Sequence, residues 1–201
     1  MTSHSSNLAA ARSHWAHLPR GLLDHLERVS ALAAELAGRW SVDPERSALA
    51  GYLHDVARAQ TPHDLLANAE ELGLAIHPVE AAVPVLLHGP VGAALARAEL
   101  KIADEGVLAA ITWHSTGRWG MSNLEKVVFL ADKLDPEKDG YYPGLEGLPA
   151  LAQENLDHAV LRYLEWQIRH LLERGGLLHP ATIDARNWLL QQEEERPQST
   201  A

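Results

Sequence analysis

Apolar residues recur along this chain at three- and four-residue steps, the spacing of helices that bury one face. Leu22, Leu26, Val29, Leu32 and Leu36 trace one such face. Asp43-Pro44 sets a capping carboxylate before a first-turn proline, so a second helix starts there and carries Ala48, Leu49, Tyr52, Leu53 and Val56. Thr61-Pro62 opens a third helix, which Gly73 closes. The apolar stretch from Pro78 to Leu100 breaks near Gly89-Pro90, where another helix begins, and Asp104 caps one bearing Val107, Leu108 and Ile111. Ser122 and Glu125 form a capping box ahead of Val127, Val128, Leu130 and Leu134. Residues Asp135 to Pro149, rich in proline and glycine, predict a long irregular connection. A long helix from about Leu151 to Arg174 stops at Gly175-Gly176, and Pro180 opens a last helix that runs to about Gln192. No segment alternates long enough to predict a strand. The expected fold is all-α: one helical domain over residues 20–192, an N-terminal extension over 1–19 and a polar tail over 193–201.

Composition narrows the chemistry. With 201 residues the chain can bury a core unaided, and with no cysteine it holds neither disulfides nor thiolate metal ligands. No apolar run reaches membrane-spanning length, and Met1 to Asn7 lacks a signal core, so neither a membrane nor secretion is expected and a cytoplasmic location fits. A formal charge of −10 disfavours nucleic acid as a partner. A small anion remains admissible where cations reverse the local field.

Twelve histidines demand sorting. His63-Asp64 falls in a first helical turn, where an acid satisfies free N–H groups. His54-Asp55 lies inside the apolar run Ala48–Ala57, where a carboxylate is costly to bury without a partner such as a divalent cation. His25 sits beside Leu22, Leu26 and Val29. His88 meets Gly89-Pro90, His114 ends an apolar helix, and Asp132 interrupts the apolar face of Val127 to Leu134. Six metal-binding residue types at positions that predict burial or a helix end point to a shared metal centre.

The order H…HD…H…H…D resembles the two-metal HD-domain phosphohydrolases. The strings Asp24-His25-Leu-Glu-Arg-Val29, Gly51-Tyr-Leu-His-Asp-Val-Ala57, Leu87-His-Gly-Pro-Val-Gly-Ala93, Trp113-His-Ser-Thr-Gly-Arg118, Leu130-Ala-Asp-Lys-Leu-Asp-Pro136 and His179-Pro-Ala-Thr-Ile-Asp-Ala-Arg-Asn187 resemble its YqeK-type branch, from about Arg20 to Leu190. That resemblance implies a buried di-metal site, iron by family habit, and symmetrical cleavage of the dinucleoside polyphosphate diadenosine tetraphosphate to two ADP. It implies that His25, His54, Asp55 and Asp132 hold one metal and His88 and His114 the other, with Asp55 bridging and His54-Asp55 as the catalytic pair. His and carboxylate ligands suit Fe, Mn, Zn or Ni, so the residues leave the metal open.

Phosphates need donors. Arg58, Arg118, Lys133 and Arg169, with the hydroxyls of Ser115 and Thr116, are the candidate substrate contacts. Arg28, one turn beyond His25, is a candidate to orient a ligand carboxylate. Gly140-Tyr-Tyr-Pro-Gly144 reads as a turn-rich loop, because it follows Asp132 instead of preceding it as in the HD-GYP phosphodiesterases. Another HD nucleotidase or phosphodiesterase, or a non-catalytic metal or nucleotide sensor, are the competing readings. The sequence leaves the oligomeric state open, a homodimer included.

Overall fold

Side-chain caps start several of the helices. Asp43 accepts the backbone N–H of Glu45 at 2.8 Å, Thr61 that of Asp64 at 3.2 Å, and Asp104 that of Gly106 at 3.0 Å. Ser122 and Glu125 cap reciprocally: the Ser122 N–H donates to Glu125 Oε2 at 2.8 Å and the Glu125 N–H to Ser122 Oγ at 3.3 Å. Each satisfies N–H groups that a first turn leaves orphaned.

The computed structural model describes residues 4–137 and 144–195. In chain order they form α1 (His4–His14), α2 (Arg20–Arg39), α3 (Pro44–Leu53), α4 (Pro62–Glu71), α5 (Pro78–Ala82), a 3-10 turn (Pro84–Leu87), α6 (His88–Leu100), α7 (Glu105–Trp113), α8 (Asn123–Lys133), α9 (Leu148–Glu154), α10 (Leu156–Glu173) and α11 (Pro180–Glu195). No strand occurs among the described residues, and none of their helices is long and apolar enough to cross a membrane.

Several boundaries differ from the sequence expectation. The single helix expected from Leu151 to Arg174 is two, because Asn155 turns extended (φ −150°, ψ 101°) and caps α10 by accepting the His158 N–H at 3.0 Å. α3 ends at Leu53, so His54 and Asp55 stand in the turn beyond it and not within a helix. The stretch before His88 folds into α5 and the 3-10 turn, and α6 begins at His88 itself. α11 runs to Glu195, past Gln192. Most of the expected Gly140–Gly144 loop and the tail beyond residue 195 lie outside the described residues. Residues 4–18, for which no element is expected, form α1 and a turn that bury Ala11 and Trp15 in the core.

α8 is the axis of the packing. From Leu124 to Lys133 every residue is buried. Val127, Phe129 and Leu130 face a cluster shared with α2, α9, α10 and α11, while Leu124 and Val128 face one shared with α1, α3, α6 and α7. Each fully buried Leu or Phe there contributes on the order of 2 kcal/mol.

Two glycines set the helix spacing that the site needs. A methyl group on Gly51 would lie 3.0 Å from Val29 O and 3.1 Å from Ala33 Cβ, so α3 lies directly against α2. One on Gly89 would lie 2.7 Å from Thr112 O and 3.0 Å from Ile111 O, so α6 lies directly against the end of α7. The first contact brings His25 and His54 together, and the second His88 and His114.

Candidate metal centre

Three of the four central histidines stand where a helical segment ends or changes, and backbone carbonyls are free to accept there. His54 Nδ1–H donates to Gly51 O and His114 Nδ1–H to Ile111 O, both at 2.7 Å, and His88 Nδ1–H donates to Val85 O. Each acceptor lies three residues upstream. His25, in the second turn of α2, donates Nδ1–H to Asp135 Oδ2 at 2.6 Å. A carbonyl or carboxylate can only accept, so all four rings carry hydrogen on Nδ1 and turn Nε2 to the centre.

Those Nε2 atoms face one another at short range: His25 to His54 at 3.2 Å and His88 to His114 at 2.9 Å. Asp55 lies between the pairs. Its Oδ1 is 2.9 Å from His88 Nε2 and 3.3 Å from His114 Nε2, and its Oδ2 is 3.5 Å from His54 Nε2 and 3.7 Å from His25 Nε2. Asp132 Oδ1 lies 3.3 Å from His25 Nε2 and 3.4 Å from His54 Nε2. Two groups follow, His25 with His54, Asp55 and Asp132, and Asp55 with His88 and His114; within each, the ligand atoms lie within 4.8 Å of one another.

The donor set fits a pair of divalent cations. Neutral imidazole lone pairs pointed at each other in a buried space repel unless a cation or proton intervenes. Asp55 Oδ1 is buried yet lacks a hydrogen-bond partner, as suits an oxygen reserved for a metal.

Titration reflects the same crowding. Burial opposes charge on His54, but Asp55 and Asp132 outweigh it and raise its pKa to about 9. Burial, with His54 and His88 adding to it, lowers His114 to about 3. Burial would raise both aspartates, yet His54 holds Asp55, and Lys133 holds Asp132, well below the usual carboxylate range.

The expected substrate contacts scatter. Ser115 Oγ lies 3.1 Å from His114 Nε2 and 3.3 Å from His88 Nε2, at the second group. Thr116 is buried and donates to Gly117 O at 2.9 Å. Arg118 is paired with Glu125 at 2.5 Å, beside the α8 cap. Lys133 Nζ is buried against Asp132. Arg58 is exposed just beyond Asp55, whose carbonyl accepts its backbone N–H at 2.8 Å. Arg169 is exposed on α10, in a groove with Arg162, Glu165 and Trp166. Arg28 grips the carboxylate of Asp135, which is not one of the expected ligands, at 2.7 and 2.9 Å. Asp135 was not among the candidates. Its signal is its place three residues after Asp132 at a helix end, before Pro136, where it can reach back to the same cluster.

This helical fold with paired His/Asp ligand groups is that of a metal-dependent hydrolase, and residues 22–137 match the HD domain pattern; the chain belongs to the HD domain family. Among its relatives is a protein of Halalkalibacterium halodurans named bis(5'-nucleosyl)-tetraphosphatase, symmetrical, 34% identical over 87% of this chain and 91% of that one. A Bacillus subtilis protein of the same name is 31% identical over 83% of this chain and 88% of its own. A crystal structure from Clostridium acetobutylicum, described as a "predicted HD superfamily hydrolase involved in NAD metabolism", is 32% identical, covers 96% of this chain and 99% of its own, and superposes with a TM-score of 0.85.

Proposed function

We propose that this protein hydrolyses diadenosine tetraphosphate symmetrically, to two ADP, at a centre of two metal ions, iron by preference. The observation that carries the reading is the pair of ligand groups sharing Asp55, in a chain whose relatives over nearly their full length bear that name. When bound, two cations supply a nucleophilic hydroxide near neutral pH and polarise a phosphoryl oxygen.

The residues of the chain divide the remaining work. His25, His54, Asp55 and Asp132 hold one cation and Asp55, His88 and His114 the other, and Asp55 fixes the spacing by offering one oxygen to each group. Asp55 stays ionised and serves as a bridge, not as a proton acceptor. Ser115 stands beside the second group, where its hydroxyl can donate to a phosphoryl oxygen. Arg58 and Arg169 are exposed, and neither is tied into an ion pair among the described residues, which suits them to outer phosphates. The leaving group is a nucleoside diphosphate, so little acid assistance is needed. A nucleotide substrate and a cysteine-free chain fit work in the cytoplasm.

The test is product analysis with iron-loaded protein under reducing conditions. ADP alone is expected. ATP with AMP, or no turnover, refutes the reading, and a nucleotide panel in the same assay separates it from other HD nucleotidases.

A further inference from the structure

We infer that Lys133 is a positioning residue that fixes how Asp132 meets a cation and ties the two ligand groups to each other, and that it does not contact substrate phosphate. This rests on the two-cation reading above. Its position beside Asp132 suggests a cation for phosphate, but its surroundings do not. The side chain is 6% exposed. Its ammonium donates to Asp132 Oδ2 at 2.6 Å and to His114 O at 3.0 Å. The same nitrogen lies 4.8 Å from the Phe129 ring centroid and 5.6 Å from that of Tyr163. An ammonium has three N–H bonds. Two go to these acceptors, and the aromatic faces take up the remaining charge as cation–π partners.

The two acceptors belong to different ligand groups. Asp132 serves the first. Lys133 occupies its Oδ2, which leaves Oδ1 turned to His25 and His54 at 3.3 and 3.4 Å. The aspartate therefore meets a cation through one oxygen in a fixed direction. His114 serves the second group, and its own carbonyl receives the other Lys133 bond. One buried ammonium thus links α8 to the end of α7 and holds the two groups in register. A compact ammonium on a flexible stem fits between two rings and a carbonyl as a planar guanidinium would not.

The test compares wild type, K133M and K133R as full-length protein. Manganese content is measured after equilibration with a graded chelator, and kcat and KM for diadenosine tetraphosphate are measured at saturating manganese. Residues that orient metal ligands change affinity or activity by about 10–100-fold when removed. K133M is expected to release cation at a chelator concentration about 10–100-fold lower than wild type, with kcat reduced and KM within about twofold of wild type. K133R, which keeps a charged donor to Asp132, is expected to fall between the two. K133M with wild-type manganese retention and a KM raised tenfold or more makes Lys133 a phosphate contact and overturns the inference. Thermal unfolding and circular dichroism of the metal-free variants verify folding. If K133M does not fold, K133R decides: a raised KM at full manganese content overturns the inference, and weakened retention at unchanged KM supports it. A wild-type protein that binds no cation overturns the two-cation reading and this inference with it, a result distinct from a silent K133M.

Discussion

Gly89→Ala tests whether the close approach of α6 to α7 is what builds the second ligand group. The added methyl would lie 2.7 Å from Thr112 O and 3.0 Å from Ile111 O, both backbone atoms that no rotamer change can move, and 3.4 Å from His114 Cε1. Ordinary contact needs close to 3.4 Å, so the start of α6 must retreat by roughly 0.7 Å. Overpacking of this kind costs about 1–3 kcal/mol. Replacing a helical glycine by alanine returns roughly 0.5–1 kcal/mol. The midpoints of those ranges leave a net loss of about 1.3 kcal/mol, and at about 2–4 °C per kcal/mol for a chain of this size the metal-free protein should melt about 3–5 °C lower. The effect on the centre is sharper. His88 precedes Gly89 and faces His114 across 2.9 Å, and metal–ligand distances tolerate only about 0.2 Å. The variant should keep the first ligand group and lose cation from the second. Calorimetric unfolding of metal-free protein and manganese titration of the folded protein read the two effects separately. Wild-type melting together with wild-type binding at both groups would refute the packing argument, and a melting loss without a binding loss would detach the glycine from the site.

Asp135→Asn removes the charge that holds His25 Nδ1–H and should weaken cation retention about 10–100-fold, or about 1.4–2.7 kcal/mol, in a chelator competition; equal retention would mean that the carboxylate does not orient His25. Cation binding should release protons near neutral pH, because the carboxylates raise metal-free His54 to about 9 and a ligand histidine must surrender its Nε2 proton. Calorimetric titration in buffers of different ionisation enthalpy counts those protons, and a buffer-independent heat would contradict it. Burial opposes charge on Asp104, yet its bonds to Arg46, the Val107 N–H and His4 lower its pKa to about 2. A depressed carboxylate pKa stabilises the fold above the ordinary value near 4 and loses that contribution as pH falls towards 2. The urea midpoint of metal-free wild type should therefore exceed that of Asp104→Asn at pH 6 and converge with it as pH falls through that window; a constant gap would assign the effect to packing instead of charge.

What could be read from the sequence was what local chemistry decides. Asp43, Thr61, Asp104 and Ser122 act through backbone groups two or three residues away, so their helices began where expected. The apolar period located α2 and α8 for the same reason. The break at Asn155 was invisible, because leucines on both sides continue the helical period and a mid-pattern asparagine is common. α1 is not legible, because its polar residues mask a short apolar face, and Ala11 on it and Trp15 just beyond it gain their meaning from helices far along the chain. At the site, the six proposed ligand positions are polar residues set in apolar surroundings, a signal each carries alone. The roles of Arg28, Asp135 and Lys133 depend on partners more than a hundred residues away or on which way a neighbouring ring turns. Spacing along the chain does not encode that.

Charge joins the fold to the reaction. The chain carries a formal −10, and the proposed substrate is a polyanion, so the surface as a whole would resist the encounter. Inside the centre the protein supplies two ionised aspartates, Asp55 and Asp132, with Lys133 as the adjacent positive charge, while Arg28 and Asp135 neutralise each other. With His54 protonated in the metal-free centre the sum there is zero, so the residues alone leave the chain's negative field unopposed. Two divalent cations would reverse that sign at one buried point and nowhere else on the molecule. The histidines serve this purpose better than further carboxylates would, since each binds a cation without cancelling its charge. Four imidazoles whose Nδ1–H bonds turn Nε2 to the centre would therefore do two things together once a cation displaces any Nε2 proton: they would hold the metals, and they would leave the metals electrophilic enough to attract a phosphoanhydride.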